Sequence, residues 1–436
     1  MEQMSETLDW LYSLEARGEI YKLERMEQAL ALIGDPHRKL RAVHIAGTKG
    51  KGSTAAMIDA VLRAAGYRCG LYTKPHLVNL TERTRIDGVE MPREQMLGYI
   101  TRLREIYERA GLALTFFEFT VALMFLYFAE SEVEIAVIET GLGGRLDSTN
   151  VVQPILSVIT PIGFDHMDRL GYTIAAIAGE KGGIIKQGTP TIIGARAEDA
   201  REVLIAIAAQ RQSPLMLIGR EFSYRSHAPA HRLDYDGRGL KLAQVELSLA
   251  GPFQHENAAI ALAAIDNLRS LGWKIEEQDI RRGMAEVVWP GRFDIVARQP
   301  TAILDCAHNE LAIEALLHTF EVELGREVKP RLVFGCLEDK QWERMAEMLG
   351  PRVSDATLTR ATPKRPIQPE KLLPVFARHV PSRIVRSPLE AIAHAMENAS
   401  RDDVVLVTGS VYLVGEVYPW FLVRQGRRGL FSEAAA

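Results

Sequence analysis

The 436-residue chain balances 52 Lys and Arg against 56 Asp and Glu, and a formal net charge of −4 gives no basis for binding a polyanion. Its 47% apolar and 25% charged content is that of a soluble globular protein, and its length exceeds one ordinary core, so two domains, or three, are expected. Cys69, Cys306 and Cys336 are too few and too scattered for a disulfide framework or a zinc cluster. No secretory leader and no bilayer-length apolar run is evident, so a monomeric, reduced, cytoplasmic protein without membrane or nucleic-acid partners is the expectation.

In chain order, "RAVHIAG" (41–47), "YRCGLYT" (67–73), "EIAVIET" (134–140), "ILSVITPIG" (155–163) and "TPTIIGA" (189–195) read as strands. Most are continuously apolar, as strands covered on both faces are. Helical patterns such as "STAAMIDAVLRAAG" (53–66) and "EFTVALMFLYFAES" (118–131) lie between them, the signature of a parallel α/β sheet. The texture changes at about 213–250, where "FSYRSH", "HRLDYDGRG" and "KLAQVELSLAG" suggest short antiparallel strands before the helical "HENAAIALAAIDNLRSLG". After "WPGRFD" (289–294) the alternation restarts with "TAILDCA", "PRLVFGC", "DATLTRA" and "DDVVLVTGS". The reading is a larger N-terminal domain, residues 1–295, with a P-loop-type parallel sheet and a small antiparallel β section. A smaller Rossmann-like α/β domain, residues 296–436, follows it. There is no internal repeat and no low-complexity block beyond the terminal "EAAA".

Ligands of open parallel sheets bind beyond the carboxyl ends of the strands. Four segments there carry polar chemistry, and a fifth follows in the second domain. "HIAGTKGKGSTAAM" (44–57) misses the usual G-x-x-x-x-G-K-[ST] spelling, because Lys51 is followed by Gly52 and the hydroxyls Ser53 and Thr54 come one step late. A strand before and a helix after favour a phosphate loop over a plain glycine turn with surface lysines. Glu139 ends a buried strand, where it can hold Mg2+ opposite such a loop or serve as a cap or ion-pair partner. Asp165 and His166 in "GFDHMDRLG" read more simply as a hydrogen-bonded pair, since His is an uncommon Mg2+ ligand. Lys181 in "AGEKGGIIK" lies near a helix-to-turn junction and is open to a plain solvated role. In "LDCAHNE", Asp305, His308 and Asn309 stand between a strand and a helix, as ligand contacts or as an N-cap.

Taken in this order, the segments resemble the folylpolyglutamate synthase/dihydrofolate synthase family, relatives of the Mur ligases. "LERM" (23–26), "GTKGKGS", "PHL", "TFFEF", "ETGLGGRLDSTN", "FDHMDRLG" and "GEKGGI" carry the resemblance, followed by "QHENAA", "PGRFD", "DCAHN", "LEDK" and "TGSVYLVGEV". The run "ETGLGGRLDSTN" and the late-hydroxyl loop are its most specific parts.

The resemblance implies an ATP-dependent ligase that joins L-glutamate to dihydropteroate and to the γ-carboxyl of folates through an acyl phosphate. It implies that Gly47, Thr48, Gly50, Lys51, Gly52 and Ser53 hold the ATP phosphates, and that Asn257, Arg292, Asp305 and His308 contact ATP at the domain interface. Glu139 and His166 become Mg2+ ligands, and Lys181 matches a lysine that is carbamylated in the family and then helps bind a second Mg2+. Lys51, Glu139, His166 and Lys181 are thereby the expected catalytic set. Thr115, Phe116, Phe117 and Glu118, with Leu146, Asp147 and Ser148, match the pteroate or folate site, although aromatics at a helix start also suit a core. His308 and Ser410 are candidates for glutamate.

Three departures stand out. The family usually has Ser, a ligand of the first Mg2+, where this chain has Lys74; its ammonium is expected to replace part of that ion or to contact the β-phosphate. Lys49 replaces a common Asn, and Cys306 and Glu310 replace the usual Gly and Pro. The acidic "FFEF" resembles bifunctional bacterial members. The competing readings are a monofunctional folylpolyglutamate synthase, a Mur-type peptidoglycan-precursor ligase, and a nucleotide-dependent switch or degenerate binding module.

Overall fold

The computed structural model describes residues 2–18, 22–227, 230–361 and 365–424; the terminal "EAAA" lies outside them. Its first sheet has eight strands. From one edge they run Val89–Glu90, Thr84–Ile86, Cys69–Tyr72, Ile135–Glu139, Ala42–Ala46, Leu156–Ile159, Thr191–Ile193 and Leu215–Leu217. The six strands from Cys69–Tyr72 onward are parallel, while Thr84–Ile86 and Val89–Glu90 add an antiparallel edge. The central strands Ala42–Ala46 and Ile135–Glu139 are buried along their whole length. Their continuous apolar sequence follows from helices covering both faces.

One face packs against helices Lys51–Ala64, Pro252–Ser270 and Glu277–Glu286, and also against the small sheet Ser223–Ser226, Arg232–Asp236 and Lys241–Glu246. Those three strands are antiparallel, as the change of texture suggested. The other face packs against Phe116–Glu130, which is apolar around its circumference and accordingly buried, capped at its start by Thr115 and Glu118.

The second sheet has six strands: Asp294–Ala297, Thr301–Leu304, Val404–Thr408, Arg331–Phe334, Asp355–Leu358 and Ser382–Ile384. The first pair is antiparallel and the rest are parallel, with separate apolar cores on the two faces. Because Asp294–Ala297 pairs with Thr301–Leu304, this sheet starts just ahead of the boundary expected at 296. Leu215–Leu217 lies in the large parallel sheet, not in the antiparallel section where the sequence reading put that region.

The segment 74–79 joins the two halves. Glu82 accepts hydrogen bonds from the backbone N–H groups of Leu77, Val78 and Asn79 and so holds the segment from the N-terminal side. Leu77 and Val78 pack into the apolar core of the second sheet, beside helix Val411–Arg424.

Candidate active site

The loop after strand Ala42–Ala46 turns at Gly50, which caps helix Lys51–Ala64 with φ 79°. Only glycine adopts this left-handed geometry without strain, and a Cβ here would stand 2.1 Å from Asn257 Oδ1. The loop is also pinned from the side. Thr48 and Lys49 donate backbone N–H groups to the Pro161 carbonyl, and Thr160 Oγ1 donates to the Lys49 carbonyl at 2.6 Å. The free N–H groups of the helix's first turn and its positive dipole end are thereby held in a rigid anion cradle. The helix begins at Lys51, slightly before the Ser53 start expected from the sequence.

Two lysines converge on this loop from different elements. Lys51 Nζ donates to the Gly47 carbonyl at 3.1 Å and lies 4.0 Å from Glu139 Oε1. Lys181, near the end of helix Ile174–Gly182, donates to the same carbonyl at 2.8 Å. At 4% exposure Lys181 is not a solvated lysine. Burial above all, reinforced by Lys51, brings its pKa down to about 7. Glu139 is buried at the end of its strand, and burial raises its carboxyl pKa against the opposing pull of Lys51 and Lys74. Glu139 Oε2 also accepts the backbone N–H of Lys74 at 3.3 Å.

Beside this cluster a cleft of about 450 Å3 opens between the two halves. Lys74, Thr115, Phe116, Phe117, Leu146, Asp147, Ser148 and His166 line one side; Arg292, His308 and Ser410 line the other. The phosphate loop is not part of the lining. Lys74 spans the two regions, with its backbone on Glu139 and its side chain in the cleft. Two cations lie over aromatic rings there: Lys74 Nζ is 5.4 Å from the Phe117 centroid, and the Arg83 guanidinium is 5.1 Å from that of Phe116. Burial lowers the Lys74 pKa to about 8, partly offset by Asp147.

Asp147 is fixed from below. It accepts hydrogen bonds from Thr149 N, Thr149 Oγ1 and Leu142 N, and Thr149 Oγ1 in turn pairs with His44 Nε2 at 2.8 Å. Burial lowers the His44 pKa to about 3, so the pair is held by a neutral imidazole. His166 is half exposed, with φ 48°, and its Nε2 stands 3.8 Å from Asp165 Oδ1. His308 Nδ1 pairs with the Cys306 carbonyl at 2.8 Å, and Ser410 Oγ accepts the N–H of Tyr412. Asn257 is buried against the loop and donates to Gln254 Oε1. Asn309 caps helix Glu310–Leu324, accepting from Ala312 N.

Two candidate residues point into the protein instead of the cleft. Glu118 is 1% exposed; Oε2 accepts from Thr115 N and Thr115 Oγ1 and pairs with Arg25 at 2.9 Å. Its carboxylate therefore closes a capping box and links the helix to the "LERM" segment. Asp305 accepts the backbone N–H groups of Phe293 and Ala307, both at 2.8 Å, so it ties the Arg292 loop to a strand end. Sequence reasoning missed Glu15, Arg83, Lys340 and Tyr412 in the cleft wall. Lys340 had a signal, as the last residue of the "LEDK" run beyond strand Arg331–Phe334; Arg83 sits in the short turn Leu80–Arg83 and had none.

Among the described residues, no cluster of three His, Cys, Asp or Glu side chains could hold a metal alone. A nucleotide-borne Mg2+ needs less, because phosphates and water supply most of its ligands. The buried Glu139 carboxylate, facing the anion cradle, fits that mode.

The Mur ligase middle domain matches residues 45–265, and the Mur ligase glutamate ligase domain matches residues 291–411. The dihydrofolate synthase/folylpolyglutamate synthase of Bacillus subtilis is 32% identical over 91% of this chain and 94% of its own. The folylpolyglutamate synthase of Lacticaseibacillus casei is 32% identical over 95% of this chain and 97% of its own. Among solved structures, E. coli FolC in complex with DHPP and ADP superposes with a TM-score of 0.86 at 31% identity, covering 96% of this chain and 98% of its own. The bifunctional Yersinia pestis enzyme complexed with AMPPNP and Mn ion superposes with a TM-score of 0.85 at 29% identity, covering 96% of this chain and 97% of its own. With its two ligase domains, the late-hydroxyl cradle and near full-length kinship, the chain belongs to the folylpolyglutamate synthase/dihydrofolate synthase family of ATP-dependent Mur ligases.

Proposed function

We propose that this protein is a bifunctional ligase, adding L-glutamate both to dihydropteroate and to the γ-carboxyl of folates. The acceptor carboxylate attacks the terminal phosphorus of ATP, and ADP leaves with the bridging electron pair. The α-amine of glutamate adds to the acyl carbon of the resulting acyl phosphate, a proton passes to water, and phosphate departs. A carboxylate resists amines because its oxygen leaves poorly, so the protein must bring two anions together and keep water from the intermediate.

The observation that carries this reading is the junction at Glu139. An anion cradle with Lys51 and Lys181 lies on one side, and a cleft with aromatic, cation-topped walls lies on the other. Gly47, Thr48, Gly50, Lys51, Gly52 and Ser53 take the phosphates. Asn257, Arg292 and His308 complete the nucleotide site, with Asp305 positioning Arg292. Phe116, Phe117, Leu146, Asp147 and Ser148 face the pteroate or folate, and His308 with Ser410 face glutamate. Glu139 and His166 would hold Mg2+, joined by Lys181 if it is carbamylated. When bound, the ion neutralises triphosphate charge and polarises the transferring group. Supporting carbamylation, Lys181 is buried with a weakened hold on its proton, and only a neutral amine adds CO2.

We assign the domain division to the segment just before residue 294, and the working form to a cytoplasmic monomer. The buried free cysteines suit a reduced compartment. No described helix is long and apolar enough to cross a membrane. The likeness to the Lacticaseibacillus casei enzyme favours a second reading, folylpolyglutamate synthase activity alone. A product assay with ATP, radiolabelled glutamate and either dihydropteroate or tetrahydrofolate separates them. Glutamate incorporation with both acceptors is expected; incorporation with tetrahydrofolate alone removes the first activity, and with neither removes the ligase.

A further inference from the structure

Four basic side chains surround the junction between phosphate cradle and cleft, and three of them are held by backbone. Lys51 and Lys181 both donate to the Gly47 carbonyl, and Arg292 Nη1 donates to the Gly291 carbonyl at 3.3 Å. Lys74 differs. Among the described residues its Nζ has no hydrogen-bond or ion-pair partner, and it lies over the face of Phe117. Yet its backbone is firmly placed. Its N–H is on Glu139, and the following residues are tied to Glu82 on one side and packed against the second sheet's core on the other. An ammonium on so fixed a backbone, in the cleft wall with Asp147 and Phe117 beside it, is built to receive a ligand anion.

Resting on the ligase reading, we propose that Lys74 is a catalytic residue whose ammonium bridges the acceptor carboxylate and the terminal phosphate where the two meet. The position supports this. The phosphates approach from the Lys51 and Glu139 side, the acceptor from the Phe117 and Asp147 side, and Lys74 is the residue that reaches both. As the carboxylate oxygen bonds to phosphorus, the bond to the bridging oxygen breaks and its electron pair leaves with ADP. Lys74 exchanges no proton in this step. It offsets the repulsion between two anions at contact distance, a stabilisation that grows where water is excluded. It also ties this charge to the domain interface, because the segment 74–79 packs against helix Val411–Arg424: a Cβ on Gly415 would stand 2.0 Å from the Leu77 carbonyl oxygen.

The test uses the full chain and three side chains at position 74: the native Lys, Lys74→Met and Lys74→Arg. Calorimetric titration measures a non-hydrolysable ATP analogue with MgCl2, then tetrahydrofolate binding to that complex. Glutamate-dependent ADP release gives kcat. For Lys74→Met the expected results are an analogue affinity weakened about three- to tenfold, acceptor binding to that complex weaker by at least ~10-fold, and kcat lower by about 100-fold. Lys74→Arg, which keeps the charge, should recover a tenth or more of the loss. The melting temperature should stay close to native, since the variant loses no hydrogen bond or ion pair among the described residues and Met still packs on Phe117. Acceptor binding and kcat within threefold of native in Lys74→Met overturn the proposal. So does a loss that Arg fails to rescue or that accompanies a lowered melting temperature. If the native enzyme lacks glutamate-dependent turnover while Lys74→Met still loses acceptor binding, the ligase reading fails and the role in anion binding stands.

Discussion

The ammonium of Lys181 donates to the carbonyl oxygen of Gly47 at 2.8 Å, although 134 residues separate the two in the chain. The contact locks the first residue of the glycine loop to the end of a helix on a different βα unit. Replacing Lys181 with Met removes this anchor and the amine together. Glutamate-dependent ADP release should fall by about 100-fold or more. In the native protein, 13C NMR with labelled bicarbonate should show a carbamate carbon that Lys181→Met lacks. The signal should grow as pH rises through about 7, because the neutral amine then becomes the major form. The same signal in the variant would place the modification elsewhere.

At Gly50 the backbone geometry and the Asn257 side chain both exclude a Cβ. Gly50→Ala should cost about 1–3 kcal/mol of strain and weaken binding of a non-hydrolysable ATP analogue by at least ~10-fold. Titration calorimetry checks it; native affinity in the variant would mean that the cradle does not hold the nucleotide.

Glu118 separates a structural role from a substrate contact. Glu118→Ala removes a capping box and leaves Arg25 without its carboxylate partner, so chemical unfolding should show a loss of about 2–4 kcal/mol. Acceptor KM, measured well below the melting temperature, should stay within about threefold. A large KM change with native stability would put the carboxylate on the substrate.

Glu90 supplies a pH dependence remote from the chemistry. Thr81 Oγ1 donates to Oε2 at 2.8 Å, Arg85 stands 3.9 Å from Oε1, and burial pushes the carboxyl pKa up from 4.5 to about 7. The folded state then holds this proton more tightly than the unfolded chain. Between pH 4.5 and 7 folding takes up a proton, so this contribution to stability falls as pH rises and is lost above about 7. Glu90→Gln should flatten that slope and gain about 1–3 kcal/mol on the native protein at alkaline pH. Urea midpoints measured across this range check it; parallel profiles for the two proteins would refute it.

The glycine loop before helix Lys51–Ala64 was legible because its signals are local. A buried strand, three glycines and a helix start are adjacent in the chain, and backbone sterics demand them wherever a tight anion turn occurs. The central strands were legible for a similar reason, since burial on both faces writes an unbroken apolar run. The edge strands Val89–Glu90 and Ser382–Ile384 carry no such run, being short and partly polar, and they escaped the reading.

The direction of a carboxylate was another matter. Asp147, Glu118 and Asp305 all follow or begin regular elements and look alike as residues near an active site. Asp147 lines the cleft, Glu118 turns toward Arg25, and Asp305 is taken by the N–H groups of Phe293 and Ala307. Composition, periodicity and motif were enough for the two α/β units, the glycine turn between strand and helix, and the family. Which acids and bases face the ligands waited for folding, because a buried charge goes to whichever partner desolvates it least, and those partners come from distant parts of the chain.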